Sequence, residues 1–211
     1  MGKLYVYPVG HGAIVLTING KVIQVDPYSE VADYSALSEA DLLLITHDHY
    51  DHLDEAAYSK ILKSNTTLIS NESAAKQLSG VKILKNGEQT TWEGINIKAV
   101  PAYNIKHRNP DGNLFHPKGV GNGYVLTFGN FKLYIAGDTE NIPELADLEG
   151  VDVAFLPKNL PFTMTDEMFV KAAESFKPKV LYPYHFSELD NVDRLREELK
   201  KDGVELKVFK K

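Results

Sequence analysis

Leu42-Leu43-Leu44-Ile45-Thr46-His47-Asp48-His49-Tyr50-Asp51-His52 is the stretch on which the reading of this chain turns. An apolar run stops abruptly in a segment crowded with histidine and aspartate. The apolar half reads as a buried strand, short and bounded by polar residues on both sides. The polar half reads as the loop at that strand's end, with Asp51-His52-Leu53-Asp54 opening a helix. Imidazole and carboxylate are ligands that divalent transition metals accept. His47 and His49, with one residue between them, can converge on one ion if the loop curls, and Asp51 and His52 then lie close enough to serve a second. A solvated polar loop is the plain alternative, and it leaves so dense a histidine cluster without a purpose.

Working outward, the residues before this stretch alternate in strand fashion. Leu4-Tyr5-Val6-Tyr7 leads through Gly10-His11-Gly12 to Ala13–Ile18. Asn19-Gly20 is a strong hairpin signal, because both turn positions need positive φ. The chain returns as Lys21–Val25 and stops at Asp26-Pro27, where proline is expected to hold Asp26 extended and end the ladder. Asp26 therefore sits at a strand tip, as the histidine cluster does one strand later. Beyond the cluster, residues 54–63 are helical by propensity, with Asp54 and Glu55 suited to the first turn. A strand at Thr66–Ile69, a helix from Glu72 to Leu78, and strands at Val81–Leu84 and Ile95–Val100 are expected to follow. Pro101 to Asn122 is the longest irregular stretch, and a loop of about twenty residues in a compact domain is usually functional or disordered. A second hairpin, Tyr124–Phe128 and Phe131–Ala136 about Gly129-Asn130, ends in Gly137-Asp138-Thr139. The last third alternates strand Val151–Leu156, a helix from Thr165 to Phe176 capped by Thr165, strand Val180–Tyr182 entering Pro183-Tyr184-His185, a charged helix from Asn191 to Lys201, and strand Val204–Phe209. Each half thus begins with a hairpin that ends on an aspartate. Two sheets packed face to face with helices outside, an α/β sandwich in a single domain over 1–211, would accommodate both.

Composition narrows the function. The chain has 211 residues, 43% hydrophobic and 25% charged, ordinary for a soluble globular protein with a core of its own. A net charge of -6 argues against nucleic acid or an anionic membrane as the main partner. Cysteine is absent, so any metal must sit on nitrogen and oxygen. The start of the chain carries no apolar run of signal length, and no stretch approaches the roughly 20 residues of a membrane span. A cytoplasmic location is expected.

Catalytic groups at strand tips tend to gather at one edge of a sheet. Here the tips carry Asp26, His47 to His52, Asn104, Asp138 and His185. The order H-x-H-x-D-H, then Gly137-Asp138-Thr139, then Pro183-Tyr184-His185 resembles the metallo-β-lactamase superfamily. Gly10-His11, Asp26-Pro27, Pro101-Ala102-Tyr103 and Phe162-Thr163-Met164 are similar to its compact branch that contains ascorbate-6-phosphate lactonase-like proteins. The resemblance implies a four-layer αββα sandwich. It also implies one ion on His47, His49 and Asp138 and a second on Asp51, His52, Asp138 and His185. A metal-bound hydroxide would then attack a carbonyl or phosphoryl centre, since a bound ion lowers the pKa of its water from about 16 to about 7. Asp51 would take or return a proton. Zinc is the first expectation for the one or two ions, with manganese or magnesium as alternatives.

The departure from the family lies at Pro101-Ala102-Tyr103-Asn104, where relatives usually carry a histidine ligand. Three outcomes stay open: a weakened or empty first site, coordination through the Asn104 oxygen, or replacement by His107 or His116 from the same loop, of which His116 is favoured. His11 is expected to line the cleft or support a ligand, and Asp26 to orient a ligand histidine through its ring N–H. Lys106, His107, Arg108 and Lys118 form a basic cluster that could clamp a phosphate or carboxylate, with Lys158 as a further cation. The expected activity is hydrolysis of a small, anionic lactone, amide or phosphoester, with Asp51, His116 and Lys118 as catalytic candidates, and a homo-oligomer is compatible with this. A non-catalytic metal-binding or ligand-sensing module is the alternative from another class, and a nuclease is a third.

Overall fold

The computed structural model describes residues 2–186 and 192–209. The chain divides into two compact units, residues 1–85 and 86–211. In the first, strands β1 (Tyr5–Gly10), β2 (Ala13–Ile18), β3 (Lys21–Val25) and β4 (Leu42–Ile45) precede helix α1 (Glu55–Ile61), β5 (Thr67–Ser70) and β6 (Lys82–Ile83). They form one sheet in sequence order. The Asn19-Gly20 turn has both residues at positive φ and pairs Ile18 with Lys21, the register a two-residue loop demands. From β3 onward the strands are parallel. β4 is buried at every position, which is why it reads as an unbroken apolar run rather than an alternation. Leu43 and Ile45 pack with Leu53, Ala57 and Ile61 in this unit's core.

Local expectations needed correction here. α1 is shorter than 54–63, because Asp54 is its N-cap, accepting the Ala56 N–H, and Leu62 is already extended. The helix expected from Glu72 to Leu78 is a single 3-10 turn over Ala74–Gln77. So short a segment cannot offset helix nucleation, and the Asn71 side chain takes the Ala74 N–H instead. Asp26 is not extended but left-handed, at φ 45°. Proline biases its predecessor toward extended backbone, but the buried hydrogen bonds of the Asp26 side chain to Thr46 and His52 override that bias, and aspartate tolerates the left-handed region better than most residues.

The second unit holds β7 (Gln89–Trp92), β8 (Ile95–Ala102), β9 (Gly121–Phe128), β10 (Phe131–Ile135), β11 (Val153–Pro157), helix α2 (Asp166–Phe176), β12 (Val180–Tyr184), helix α3 (Val192–Lys200) and β13 (Glu205–Leu206). Its sheet runs β13-β12-β11-β10-β9-β8-β7. The polar strand β7, unforeseen, pairs with β8 through Glu93-Gly94, both at positive φ. The irregular stretch is shorter than expected, since β8 and β9 stay paired out to Ala102 and Gly121. On β9, Gly123 is obligatory: a Cβ there would lie 2.8 Å from the Ala136 carbonyl, next to the turn that presents Asp138. Thr165 caps α2 by accepting the Met168 N–H, and the helix buries Phe169, Val170, Ala172, Ala173 and Phe176. Burying a side chain such as Phe169 contributes about 2–3 kcal/mol. The expected start of α3, Asn191, lies outside the described residues, and the last strand contracts to Glu205–Leu206.

The chain is a mixed α/β protein with two sheets and few helices, none long and apolar enough to cross a membrane among the described residues. Because β3 and β4 are parallel, Asp26 and His47 leave the first sheet at one edge. Because β10, β11 and β12 are parallel, Asp138 and His185 do the same in the second.

Candidate metal centre

In the first unit the organising group is Asp26, fully buried. Its Oδ1 accepts the Thr46 N–H at 2.8 Å, and its Oδ2 accepts the Thr46 hydroxyl at 2.6 Å and His52 Nδ1–H at 2.8 Å. Since the Thr46 hydroxyl donates to Asp26, its oxygen accepts from His47 Nδ1–H at 3.0 Å. One carboxylate therefore holds the proton on Nδ1 of both buried histidines, directly and through a hydroxyl, and Nε2 carries the lone pair in each. The rings of His47 and His52 are 4.1 Å apart and those of His47 and His49 4.6 Å. The ligand atoms of His47 and His49 lie within 4.8 Å of each other, as do those of His47 and His52. Asp51 Oδ2 accepts from His11 Nε2 at 2.8 Å and lies 3.8 Å from His52 Nε2. His11 thus has a carboxylate neighbour in space that it lacks in sequence. Tyr28 packs on His11 at 5.3 Å and on exposed Tyr50 at 6.1 Å, an aromatic wall beside Asp51. Burial, with Tyr50 and nearby acids, pushes the Tyr28 phenol up.

In the second unit Asp138 Oδ2 lies 3.2 Å from His116 Nε2 and 3.4 Å from His185 Nε2, and all three side chains are buried. Asn159 Nδ2 is 3.2 Å from His185 Nδ1. Asn104 Oδ1 is 2.6 Å from His116 Nδ1 and accepts the His116 backbone N–H, while its amide nitrogen donates to Glu140 and to the Phe162 carbonyl. The amide oxygen is thus committed to His116. Glu140, fully buried, accepts the backbone N–H groups of Ile105, Lys106 and His107. Burial pulls its carboxyl up, but those N–H groups and the Asn104 amide outweigh burial and hold it below the usual carboxylate range. Sequence reasoning missed Glu140, Asn159 and Tyr28; the only local signal for Glu140 was its place directly after Gly137-Asp138-Thr139.

Left-handed backbone recurs among these groups in each unit: His11 and Asp26 in the first and His185 in the second have φ of 45–51°. Such conformations cost about 1–3 kcal/mol each and persist where surrounding bonds over-determine them. The donors in each unit are imidazole and carboxylate. His47 and His52 in the first and His116, Asp138 and His185 in the second are buried, while His49 is exposed and Asp51 partly so. The far nitrogens of His47, His52 and His116 are tied to oxygen. That is the outer-sphere arrangement expected around metal-ligating histidine, so the residues fit a divalent ion of the zinc type.

The basic cluster is dispersed over separate partners. Lys118 Nζ donates to Glu144 at 2.7 Å and to the Tyr103 hydroxyl at 3.1 Å. Lys158 pairs with Asp166 at 2.6 Å. Arg108 donates to the Gly112 carbonyl, and His107 Nδ1 meets Glu140 at 2.8 Å. Carboxylates beside Lys118 and Lys158 argue against either as an anion clamp. Lys106, with His107, Thr165 and Lys171, lines a cavity of about 420 Å³ instead.

A family model described as a beta-lactamase superfamily domain matches residues 5–185. A UPF0173 metal-dependent hydrolase of Methanopyrus kandleri is 30% identical over 94% of this chain and 90% of its own length. One from Thermococcus onnurineus is 32% identical over 96% and 94%. The chain belongs to the metal-dependent hydrolases of the beta-lactamase superfamily. A crystal structure of a protein described as a metal-dependent hydrolase from Parabacteroides distasonis superposes with a TM-score of 0.91 at 43% identity, covering 99% of this chain and 97% of that one. A metallo hydrolase from Ignicoccus hospitalis shares the fold, with a TM-score of 0.79 at 22% identity over 98% and 95%. Family membership makes the strand-tip histidines and aspartates of each unit the residues to consider as ligands.

Proposed function

We propose that this superfamily member acts as one catalytic domain that hydrolyses a small, anionic lactone, amide or phosphoester in the cytoplasm, with one or two divalent ions. Zinc is the first choice and manganese or magnesium the alternatives. The observation that carries the reading is Asp138 Oδ2 between the Nε2 atoms of His116 and His185, the placement of a carboxylate shared by two ligand sets. The ligands are drawn from His47, His49, Asp51 and His52 in the first unit and from His116, Asp138 and His185 in the second. A bound ion would supply Lewis acidity and acidify a water to near neutrality. The chain's own residues supply the rest. Asp26 holds His47 and His52 in the ligating tautomer. Asp51, steadied by His11 at 2.8 Å, takes a proton from the attacking water or returns one to the leaving group. Tyr28 and Tyr50 flank Asp51 and would shape the apolar side of the entrance. Lys106 supports an anionic substrate, since it lines a cavity of the second unit, whereas Lys171 in the same lining is already paired with Glu167 at 2.7 Å.

Metal analysis of protein purified without chelators, followed by a panel of phosphorylated lactones, amides and phosphodiesters, tests the reading. The expected result is one to two equivalents of a divalent ion and hydrolysis that a chelator abolishes. Sub-stoichiometric uptake of every divalent ion offered would overturn it.

A further inference from the structure

Glu140 is buried, accepts four hydrogen bonds at its carboxylate and has no part in the proposed chemistry, and one of its partners leads directly to a proposed ligand. Asn104, 1% exposed, faces four fixed neighbours. Its Nδ2 lies 3.1 Å from Glu140 Oε1 and 2.8 Å from the Phe162 carbonyl. Its Oδ1 lies 2.8 Å from the His116 backbone nitrogen and 2.6 Å from His116 Nδ1. A carbonyl can only accept and a backbone N–H can only donate. Rotating the amide by a half-turn would set oxygen against the carbonyl and the carboxylate, and NH2 against N–H. Glu140 in turn is held as an acceptor by three backbone N–H groups, from Ile105, Lys106 and His107, at 2.7–2.8 Å. The amide therefore has one orientation, and its oxygen requires a proton on His116 Nδ1.

We propose that Glu140 and Asn104 are positioning residues that lock His116 with its proton on Nδ1, so that Nε2, beside Asp138, is the nitrogen offered to a metal ion. This rests on the metal-hydrolase reading above. It gives Asn104 a purpose: His116 is the ligand, and the side chain at position 104 is the support that orients it. Phe162 joins the same support, because its carbonyl takes the second amide proton while its N–H donates to the Asn159 carbonyl at 2.9 Å. Glu140 never touches substrate or metal in this scheme. It acts only through Asn104.

Histidine-selective 15N NMR of the full chain tests this, without metal and after zinc loading. His116 Nδ1 is expected to be the protonated type in both states, and an unprotonated Nδ1 in either would overturn the proposal. Zinc affinity by chelator competition supplies the second readout. Asn104→Leu, which offers no oxygen, should weaken zinc binding about 10–100-fold. Asn104→Asp keeps an acceptor toward Nδ1, sharing a proton with Glu140 as adjacent buried carboxylates do, and should recover most of the affinity. A folded Asn104→Leu protein that binds zinc as tightly as the parent would overturn the assignment. Should that variant fail to fold, the spectrum of the unaltered protein decides. If the unaltered protein takes up no zinc, the metal-hydrolase reading falls, while the protonation state of His116 Nδ1 still judges the lock by itself.

Discussion

Replacing Asp26 separates the two duties of a buried carboxylate, holding the fold and setting the site. Asp26→Ala removes the acceptor for the Thr46 N–H, the Thr46 hydroxyl and His52 Nδ1–H, all within 2.6–2.8 Å and all buried. The hydroxyl can rotate to another acceptor, but the two N–H donors are fixed. Each buried donor left without an acceptor costs about 1–3 kcal/mol, so the variant should lose about 2–6 kcal/mol. Asp26→Asn keeps an oxygen for the Thr46 N–H and should lose less, about 1–2 kcal/mol. Its amide hydrogens, however, now point where the Thr46 hydroxyl and His52 once donated. His52 must then accept at Nδ1 and carry its proton on Nε2, which should lower divalent-metal affinity about 10–100-fold. Urea denaturation of the metal-free protein measures the first effect, and zinc competition against a chromophoric chelator the second. An Asp26→Asn protein with unaltered zinc affinity, or an Asp26→Ala protein within about 1 kcal/mol of the parent, would refute the reasoning.

Further outcomes follow from the same geometry. Phe169→Ala, on the buried face of α2, should cost about 3–5 kcal/mol in denaturant unfolding, because the cavity cannot collapse fully; a loss under about 1 kcal/mol would mean the helix is not anchored there. The Lys63 ammonium and the Val22 N–H hold the Asp41 carboxyl below its ordinary range. A depressed folded pKa stabilises above the unfolded value and is lost as pH falls through the folded one, so the advantage of the parent over Asp41→Asn should be full at neutral pH and fade below about pH 4. Paired melting curves from pH 7 to acid would show this as converging midpoints. Lys118→Ala should leave KM for an anionic substrate unchanged within about twofold, since Glu144 already neutralises that ammonium; a tenfold rise would restore it as a clamp.

What was legible in the chain is what depends on near neighbours. β4 showed itself as an apolar run, the Asn19-Gly20 hairpin as turn chemistry, and α2 as a capped amphipathic repeat, because each is decided within about ten residues. The histidine and aspartate cluster was legible for the same reason. The supports of the site were not. Glu140 bonds to residues 33–36 positions away, and His11 meets Asp51 across 40. No local pattern marks such a pair. The stretch from Pro101 to Asn122 looked irregular because its order comes from one distant carboxylate and from the paired ends of β8 and β9. The 3-10 turn at Ala74–Gln77 and strand β7 were missed where a single side chain or a two-residue turn tipped a weak local preference.

The rims of the two sheets bear on how this protein behaves when crowded with copies of itself. Among the described residues, β6 and β13 are two residues each, and β7 four, three of them polar. β1 is longer, but Pro8 offers no N–H and the pairing shifts between Pro8 and Gly10. A strand from another molecule would find too few consecutive donors and acceptors to zip onto any of these borders. Tyr5 and Tyr7, more than half exposed on β1, make that border the most apolar of the four, and Pro8 interrupts its run of backbone donors.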